Sequence, residues 1–133
     1  MKKVSCQVLV VLETMWGGSG TAPGVFRINP LNHSGARLLQ LIGHSDFWVT
    51  NACREYVEDA TQHGKPDPIR LAANLKRIDY KVLLVAGKIA QKAFDDCGYV
   101  PKCKVLRMMH PAARTWTRAL IEQWKQKLRR AQK

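Results

Sequence analysis

The feature that most constrains the fold is a continuous apolar run over residues 4–12, VSCQVLVVL, which is rich in β-branched side chains. A strand with one face in water alternates apolar and polar residues, whereas a strand covered on both faces of a parallel sheet is apolar almost throughout. A second run of this kind, YKVLLVA, occupies residues 80–86. Because parallel strands need long crossover connections, the two runs predict an α/β domain with helices on both faces of its sheet.

The segments between these runs complete the pattern. Two shorter strands are predicted at residues 46–51 and 103–108, and helices at 34–42, 67–78, 88–97 and 115–130. Asp67 before Pro68 is a typical helix start, and Gly43 a typical helix end. The order predicts a three-layer α/β/α sandwich with a four-stranded parallel sheet, formed as one domain over residues 1–133. Residues 13–32 are predicted to be an irregular loop, and loops of that length are commonly functional.

The charge of the chain indicates its class of partner. There are 22 Lys and Arg residues against 10 Asp and Glu, a formal net charge of +12 over 133 residues, and the last third is especially basic. Such an excess predicts a polyanionic partner, most often nucleic acid. The alternative is a basic surface that serves solubility alone. No apolar stretch is long enough to span a bilayer, so we expect no membrane partner.

The four cysteines are Cys6, Cys53, Cys97 and Cys103, and none forms a C-x-x-C pair. This spacing favours reduced thiols over a disulfide framework or a zinc site. Glu13 follows the first apolar run directly, without the small residues of a signal-peptide cleavage site. We therefore expect a cytoplasmic monomer without metal or other cofactor, associated with the nucleoid if it binds DNA.

Functional side chains are expected at the carboxyl ends of the strands, where open parallel sheets bind ligands. Glu13 follows the first predicted strand, Asn51 ends the second, Gly87 follows the third, and His110 precedes Pro111 after the fourth. A carboxylate can activate water, an imidazole can stabilise negative charge, and an amide can read one edge of a nucleobase. The ordinary alternatives are a solvated Glu, an Asn that stabilises a turn, and a packed or exposed loop His.

Four segments of the chain, in order along it, resemble motifs of the uracil-DNA glycosylase superfamily. They are PLNHSGARLL at residues 30–39, WVTNA at 48–52, VLLVAGKIA at 82–90 and MHPA at 109–112. The resemblance extends over residues 4–124 and implies a uracil-DNA glycosylase-like fold. It also implies an enzyme that flips a nucleotide out of DNA, holds the base in a pocket and hydrolyses its N-glycosidic bond.

The resemblance implies roles for individual residues. Asn51 would bind the pyrimidine edge, His110 would stabilise charge on the departing base, and Glu13 would act on the attacking water. Trp16, Phe26 or Leu31 would take the place of the stacking residue, and Gly87 would belong to the substrate-binding residues. The residues expected to contact DNA are Lys88, Pro111, Arg114 and Thr115.

The chain also departs from the superfamily pattern. The segment LETMW at residues 12–16 keeps the carboxylate of Glu13 but lacks the Pro-Gly or Pro-Tyr step that shapes the water site, and Ala112 replaces a serine after His-Pro. Two functions therefore stay open. The first is a DNA glycosylase for uracil or a related base. The second is a non-catalytic nucleotide- or nucleic-acid-binding protein on the same fold.

Overall fold

The computed structural model describes residues 4–13, 15–16, 25–26, 33–52, 56–57 and 66–133. These ranges contain seven strands and four helices. They are β1 (Val4–Leu12), β2 (Met15–Trp16), β3 (Val25–Phe26), α1 (His33–Ile42), β4 (Phe47–Asn51), β5 (Tyr56–Val57), α2 (Pro68–Lys76), β6 (Ile78–Ala86), α3 (Lys88–Asp96), β7 (Lys104–Met108) and α4 (Arg118–Ala131). None of the helices in these ranges is both long enough and apolar enough to cross a bilayer.

The central sheet has the strand order β3-β4-β1-β6-β7. Its four longer strands, β4, β1, β6 and β7, are all parallel, which confirms the predicted α/β class and the four-stranded parallel sheet. Strand β3 adds an antiparallel edge beside β4, and β2 pairs with β5 in a separate parallel ribbon. The prediction of an irregular loop over residues 13–32 is therefore wrong at Met15–Trp16 and Val25–Phe26. Two-residue strands are too short to show an alternating pattern in sequence.

Local capping sets the helix boundaries. The Asp67 side chain accepts a hydrogen bond from the backbone N–H of Arg70 at 3.1 Å, which confirms the predicted start of α2. Helix α4 begins at Arg118, three residues later than predicted, because the hydroxyl of Thr117 accepts from the N–H of Leu120 at 3.1 Å. Ile78, predicted at the end of a helix, is instead the first residue of β6 and is buried.

Each face of the sheet has its own apolar core. Helices α1 and α4 cover one face, where Val8 and Val10 of β1 are buried. Helices α2 and α3 cover the other face, where Leu9 and Val11 are buried. All four side chains are fully inaccessible to solvent. This double coverage is the physical reason that β1 lacks polar alternation.

The strand order determines where a ligand fits. The chain passes from β1 outward to β4 and then returns across the sheet to β6, so the order reverses between β1 and β6. In doubly wound sheets, such a reversal opens a crevice outside the carboxyl ends of the two strands. The crevice lies between the points where Leu12 and Ala86 end their strands.

Candidate functional site

The strand register brings the predicted site residues to one edge of the sheet. Leu12 of β1 is aligned with Asn51 of β4, and Ala86 of β6 is aligned with Met108 of β7. Glu13 and Gly87 follow directly after their strands at this edge. Since neighbouring strands lie about 4.8 Å apart, the ends of β4 and β7 are separated by roughly 14 Å. The side chains of Asn51 and His110, with a planar ligand between them, are long enough to bridge that span.

Asn51 is the most unusual side chain at this edge. It is only 4% exposed, and within the described ranges neither its amide nitrogen nor its amide oxygen has a hydrogen-bond partner. Asn74, at 5% exposed, provides the contrast. Its Nδ2 donates to the Thr50 hydroxyl at 3.2 Å, and its Oδ1 accepts from Arg77 at 2.8 Å. Because buried amides are almost always satisfied, the Asn51 amide points to a ligand or an ordered water.

His110 offers a neutral hydrogen-bond donor. Its Nδ1 accepts a hydrogen bond from the backbone N–H of Ala112 at 3.0 Å, so the proton of the neutral ring resides on Nε2. Burial lowers the pKa of His110 below its ordinary value of 6.5, and the carboxylate of Glu13 opposes part of that shift. The ring is therefore uncharged at neutral pH, and it interacts electrostatically with Glu13.

Further hydrogen bonds hold the loop that carries His110. The indole N–H of Trp116 donates to the His110 carbonyl oxygen at 2.9 Å, and the backbone N–H of Ala113 donates to the same oxygen at 3.0 Å. On the preceding residues, the backbone N–H of Gly87 donates to the Met108 carbonyl at 2.8 Å. These bonds join the ends of β6 and β7 and fix the position of the imidazole.

Gly87 adopts a backbone conformation that other residues avoid. Its φ is 94° and its ψ is 155°, and it forms the N-cap of α3. A Cβ built at this position would lie 3.7 Å from Cβ and Cδ2 of His110, an ordinary contact distance. The backbone conformation, rather than a lack of space, therefore favours glycine here.

One residue of the site carried no role in the sequence prediction. The Arg37 guanidinium of α1 lies 5.7 Å from the centre of the Trp116 ring, and its Nη1 donates to Gln40 at 3.2 Å. Its Nε is buried and has no hydrogen-bond partner among the described residues. Arg37 thus supports Trp116, which in turn holds the His110 loop. Sequence reasoning missed it because nothing in the 30–39 segment shows that Arg37 meets Trp116, which lies in the segment before α4.

The remaining predicted residues fall into three groups. Lys88, Arg114 and Thr115 are exposed, as DNA-contacting residues need to be, and the Thr115 hydroxyl also contacts the Met109 sulfur at 3.1 Å. Pro111, by contrast, is buried. The side chains of the three candidate stacking residues lie outside the described part of the structure. They are Trp16, Phe26 and Leu31.

The structure thus brings Glu13 and Gly87 to His110 and places Asn51 at the same edge, three strands from β7. In the described ranges, no group of three or more His, Cys, Asp or Glu side chains could hold a metal ion. Neither a protein-family model nor a curated protein matches this chain. The geometry of the strand ends is therefore the basis on which a function is argued.

Proposed function

We propose that this protein binds a nucleobase at the carboxyl edge of its sheet and hydrolyses the N-glycosidic bond that joins the base to DNA. The observation that carries the proposal is the buried amide of Asn51, whose two polar atoms have no partner among the described residues. It lies on the same edge as the interacting pair of Glu13 and His110. Uracil or a related base is the substrate that the superfamily resemblance implies.

Recognition of the base is assigned to Asn51. An amide side chain presents one donor group and one acceptor, which matches an N–H beside a carbonyl on the edge of a pyrimidine. Because the amide is only 4% exposed, a base with the wrong pattern would leave a buried polar atom unsatisfied. A buried amide of this kind discriminates between bases more strongly than an amide exposed to water.

The proposed reaction is hydrolysis of the N-glycosidic bond between the base and the sugar. Water adds to the sugar C1′, the bond from C1′ to the base nitrogen breaks, and its electron pair leaves with the base. The neutral His110 donates a hydrogen bond from Nε2 to the base oxygen on which negative charge develops. The carboxylate of Glu13 accepts the proton that the water loses. The products are an abasic site and the base anion, which takes up a proton from solvent as Glu13 releases one.

DNA would be held by cations beside the pocket. Lys88 is exposed at the first position of α3, and Arg114 is exposed four residues after His110. With a net charge of +12, the protein is expected to bind DNA with an affinity that falls steeply as salt rises. These contacts would position the nucleotide without reading its sequence.

A non-catalytic binding protein is the second candidate. The observation that favours it is Ala112, which offers no hydroxyl after the His-Pro step. The backbone N–H of Ala112 is already bonded to the His110 ring. In this second case the same pocket would hold a base or nucleotide without cleaving it.

The test is base excision from labelled oligonucleotides that contain one uracil, one hypoxanthine or one mismatch, followed by alkaline cleavage at the abasic site. We expect excision by the wild type and a loss of about 100-fold or more in His110→Asn, which lacks the ring donor. Asn51→Ala should lose a comparable factor through base binding.

His44→Asn is the matched control. His44 lies at the opposite, amino end of the strands, in the segment between α1 and β4, where its ring is hydrogen-bonded to Gln132. Its substitution should leave the excision rate unchanged. If no base yields an abasic product, the hydrolase proposal fails. Salt-sensitive binding that is lost in Asn51→Ala would then favour the binding protein.

A further inference from the structure

A second candidate site lies on the outer side of β7, away from the His110 loop. A groove of about 440 Å³ runs between residues 104–107 of β7 and the C-terminal half of α4, where Trp124, Lys127, Arg130 and Ala131 line it. We call it the β7–α4 groove. It is separate from the proposed base pocket, because it flanks β7 along its length and does not include the residues that follow Met108.

The groove lies beside the edge of the sheet rather than over one of its faces. Successive residues of a strand point to opposite faces. Leu106 packs on the face covered by α1 and α4, whereas Val105 packs on the face covered by α2 and α3, yet both line the groove. Strand β7 ends the sheet order, and no described strand pairs with its outer side. Its outward backbone groups are therefore available to an added strand.

The walls of the groove are strongly basic. Lys104, Arg107, Lys127 and Arg130 all line it, and all four are exposed. Among the described ion pairs, the only acidic group bonded to these four cations is Asp95, at 2.6 Å from Arg107. That pair is bidentate, and the Arg107 guanidinium also lies 5.5 Å from the centre of the Phe94 ring, so Arg107 is held by α3. The other three cations have no acidic partner among the described ion pairs. The groove is therefore complementary to an acidic ligand.

The surroundings of Trp124 distinguish between two kinds of acidic ligand, single-stranded nucleic acid and an acidic peptide. Single-stranded nucleic acid commonly stacks its bases on exposed aromatic rings in a basic groove. Here the Lys127 ammonium lies over the Trp124 ring at 4.5 Å from its centre, and the indole also packs against the apolar core under α4. The Lys127 ammonium therefore occupies a position over the ring that a stacked base would need. The aromatic ring instead forms an apolar floor between cations.

We propose that the β7–α4 groove binds an acidic, extended peptide segment of a partner protein, which joins the sheet beside β7 as a sixth strand. Main-chain hydrogen bonds to the outer side of β7 supply the pairing, and acidic side chains meet Lys104, Lys127 and Arg130. Residues 104–107 span about 13 Å of strand, enough for four residues of an added peptide. This inference does not depend on the proposed glycosidic activity.

The test uses a fluorescein-labelled octapeptide of alternating Glu and Val, with binding followed by fluorescence anisotropy. Arg130→Glu should weaken binding about tenfold, whereas Arg129→Glu should change it by no more than about twofold. Both residues are exposed, they are neighbours on α4, and the change in net charge is the same. Only Arg130 lines the groove.

Two further peptides test the added strand itself. One carries N-methyl groups on the Val nitrogens and the other on the Glu nitrogens, so each loses the N–H donors on one side of the strand. Strand addition predicts that one of them binds about tenfold more weakly and that the other binds within about twofold of the parent. If both bind like the parent, or both weaken equally, strand addition is wrong. Equal effects of the Arg129 and Arg130 variants, or a labelled oligo-dT that outcompetes the peptide and loses affinity in Arg130→Glu, also overturn the proposal.

Discussion

Replacement of Asn51 by Leu tests whether the buried Asn51 amide, which would bind a ligand, lowers the free energy of unfolding of the ligand-free protein. Asn51 and Asn74 are almost equally buried, at 4% and 5% exposed. The amide of Asn74 is hydrogen-bonded to Thr50 and Arg77, whereas neither polar atom of Asn51 has a partner in the described ranges. Leucine has a similar shape and no polar atoms. The two substitutions are therefore expected to change stability in opposite directions.

The size of each change in the free energy of unfolding follows from the hydrogen bonds that the two amides make. Burying an amide without a partner destabilises a protein by about 1–3 kcal/mol, so Asn51→Leu should raise the free energy of unfolding by up to that amount. For a chain of this size the change corresponds to a rise in Tm of roughly 3–9 °C. Asn74→Leu removes two hydrogen bonds and leaves the fully buried Thr50 hydroxyl without the Asn74 donor. It should lower the free energy of unfolding by about 1–3 kcal/mol.

Urea denaturation of the ligand-free protein, followed by circular dichroism, measures both changes. The expected result is a higher midpoint for Asn51→Leu and a lower midpoint for Asn74→Leu, with unchanged slopes. The stabilised variant should at the same time lose base binding. If Asn51→Leu is destabilised as much as Asn74→Leu, then the Asn51 amide is satisfied in the free protein, and the argument that it awaits a ligand is refuted.

Three further substitutions probe the same edge. Because burial lowers the pKa of His110 from 6.5, the unfolded state takes up the proton first, so this contribution to stability is full above about pH 6.5 and is lost as pH falls below that value. His110→Asn should flatten that decline in urea titrations below about pH 6.5, and an unaltered slope would contradict it. Gly87→Ala should lower the free energy of unfolding by about 1–3 kcal/mol through its φ of 94°, and an unchanged midpoint would count against this backbone constraint. Trp116→Phe keeps the ring but removes the 2.9 Å bond to the His110 carbonyl, so a loss of about 0.5–1.5 kcal/mol is expected in thermal unfolding; no loss would mean that water replaces the indole donor.

Much of the fold follows from the sequence because its strongest signals are regular and long. The apolar runs that became β1 and β6 predict a parallel sheet covered on both faces, and the Asp67-Pro68 step marks the start of α2. Strands such as β3 were not predictable, because two residues carry no periodicity and their pairing depends on what β4 leaves open at its edge. Boundary errors arose where a cap lay inside a helical pattern, as at Thr117.

The candidate site is predictable only in part. Topology alone places Glu13, Asn51 and His110 at one edge, because parallel strands end together. Which polar atoms are buried without partners is a property of packing, and no local pattern shows that Asn51 differs from Asn74. The support of Trp116 by Arg37 is similarly non-local, since it depends on the approach of α1 to the segment that precedes α4, which is distant in sequence.

The placement of the site on four separate strands has a consequence for how the protein folds. Each strand contributes one group, and β1, at the centre, is paired with β4 and with the distant β6. No single hairpin or helix pair contains two of the three groups from Glu13, Asn51 and His110. The pocket therefore cannot form in a partly assembled chain, and long-range closure of the sheet must precede it. During refolding, ligand binding should accordingly appear in the same kinetic step as the native sheet. Ligand binding would then report on cooperative folding of the whole domain rather than on local order.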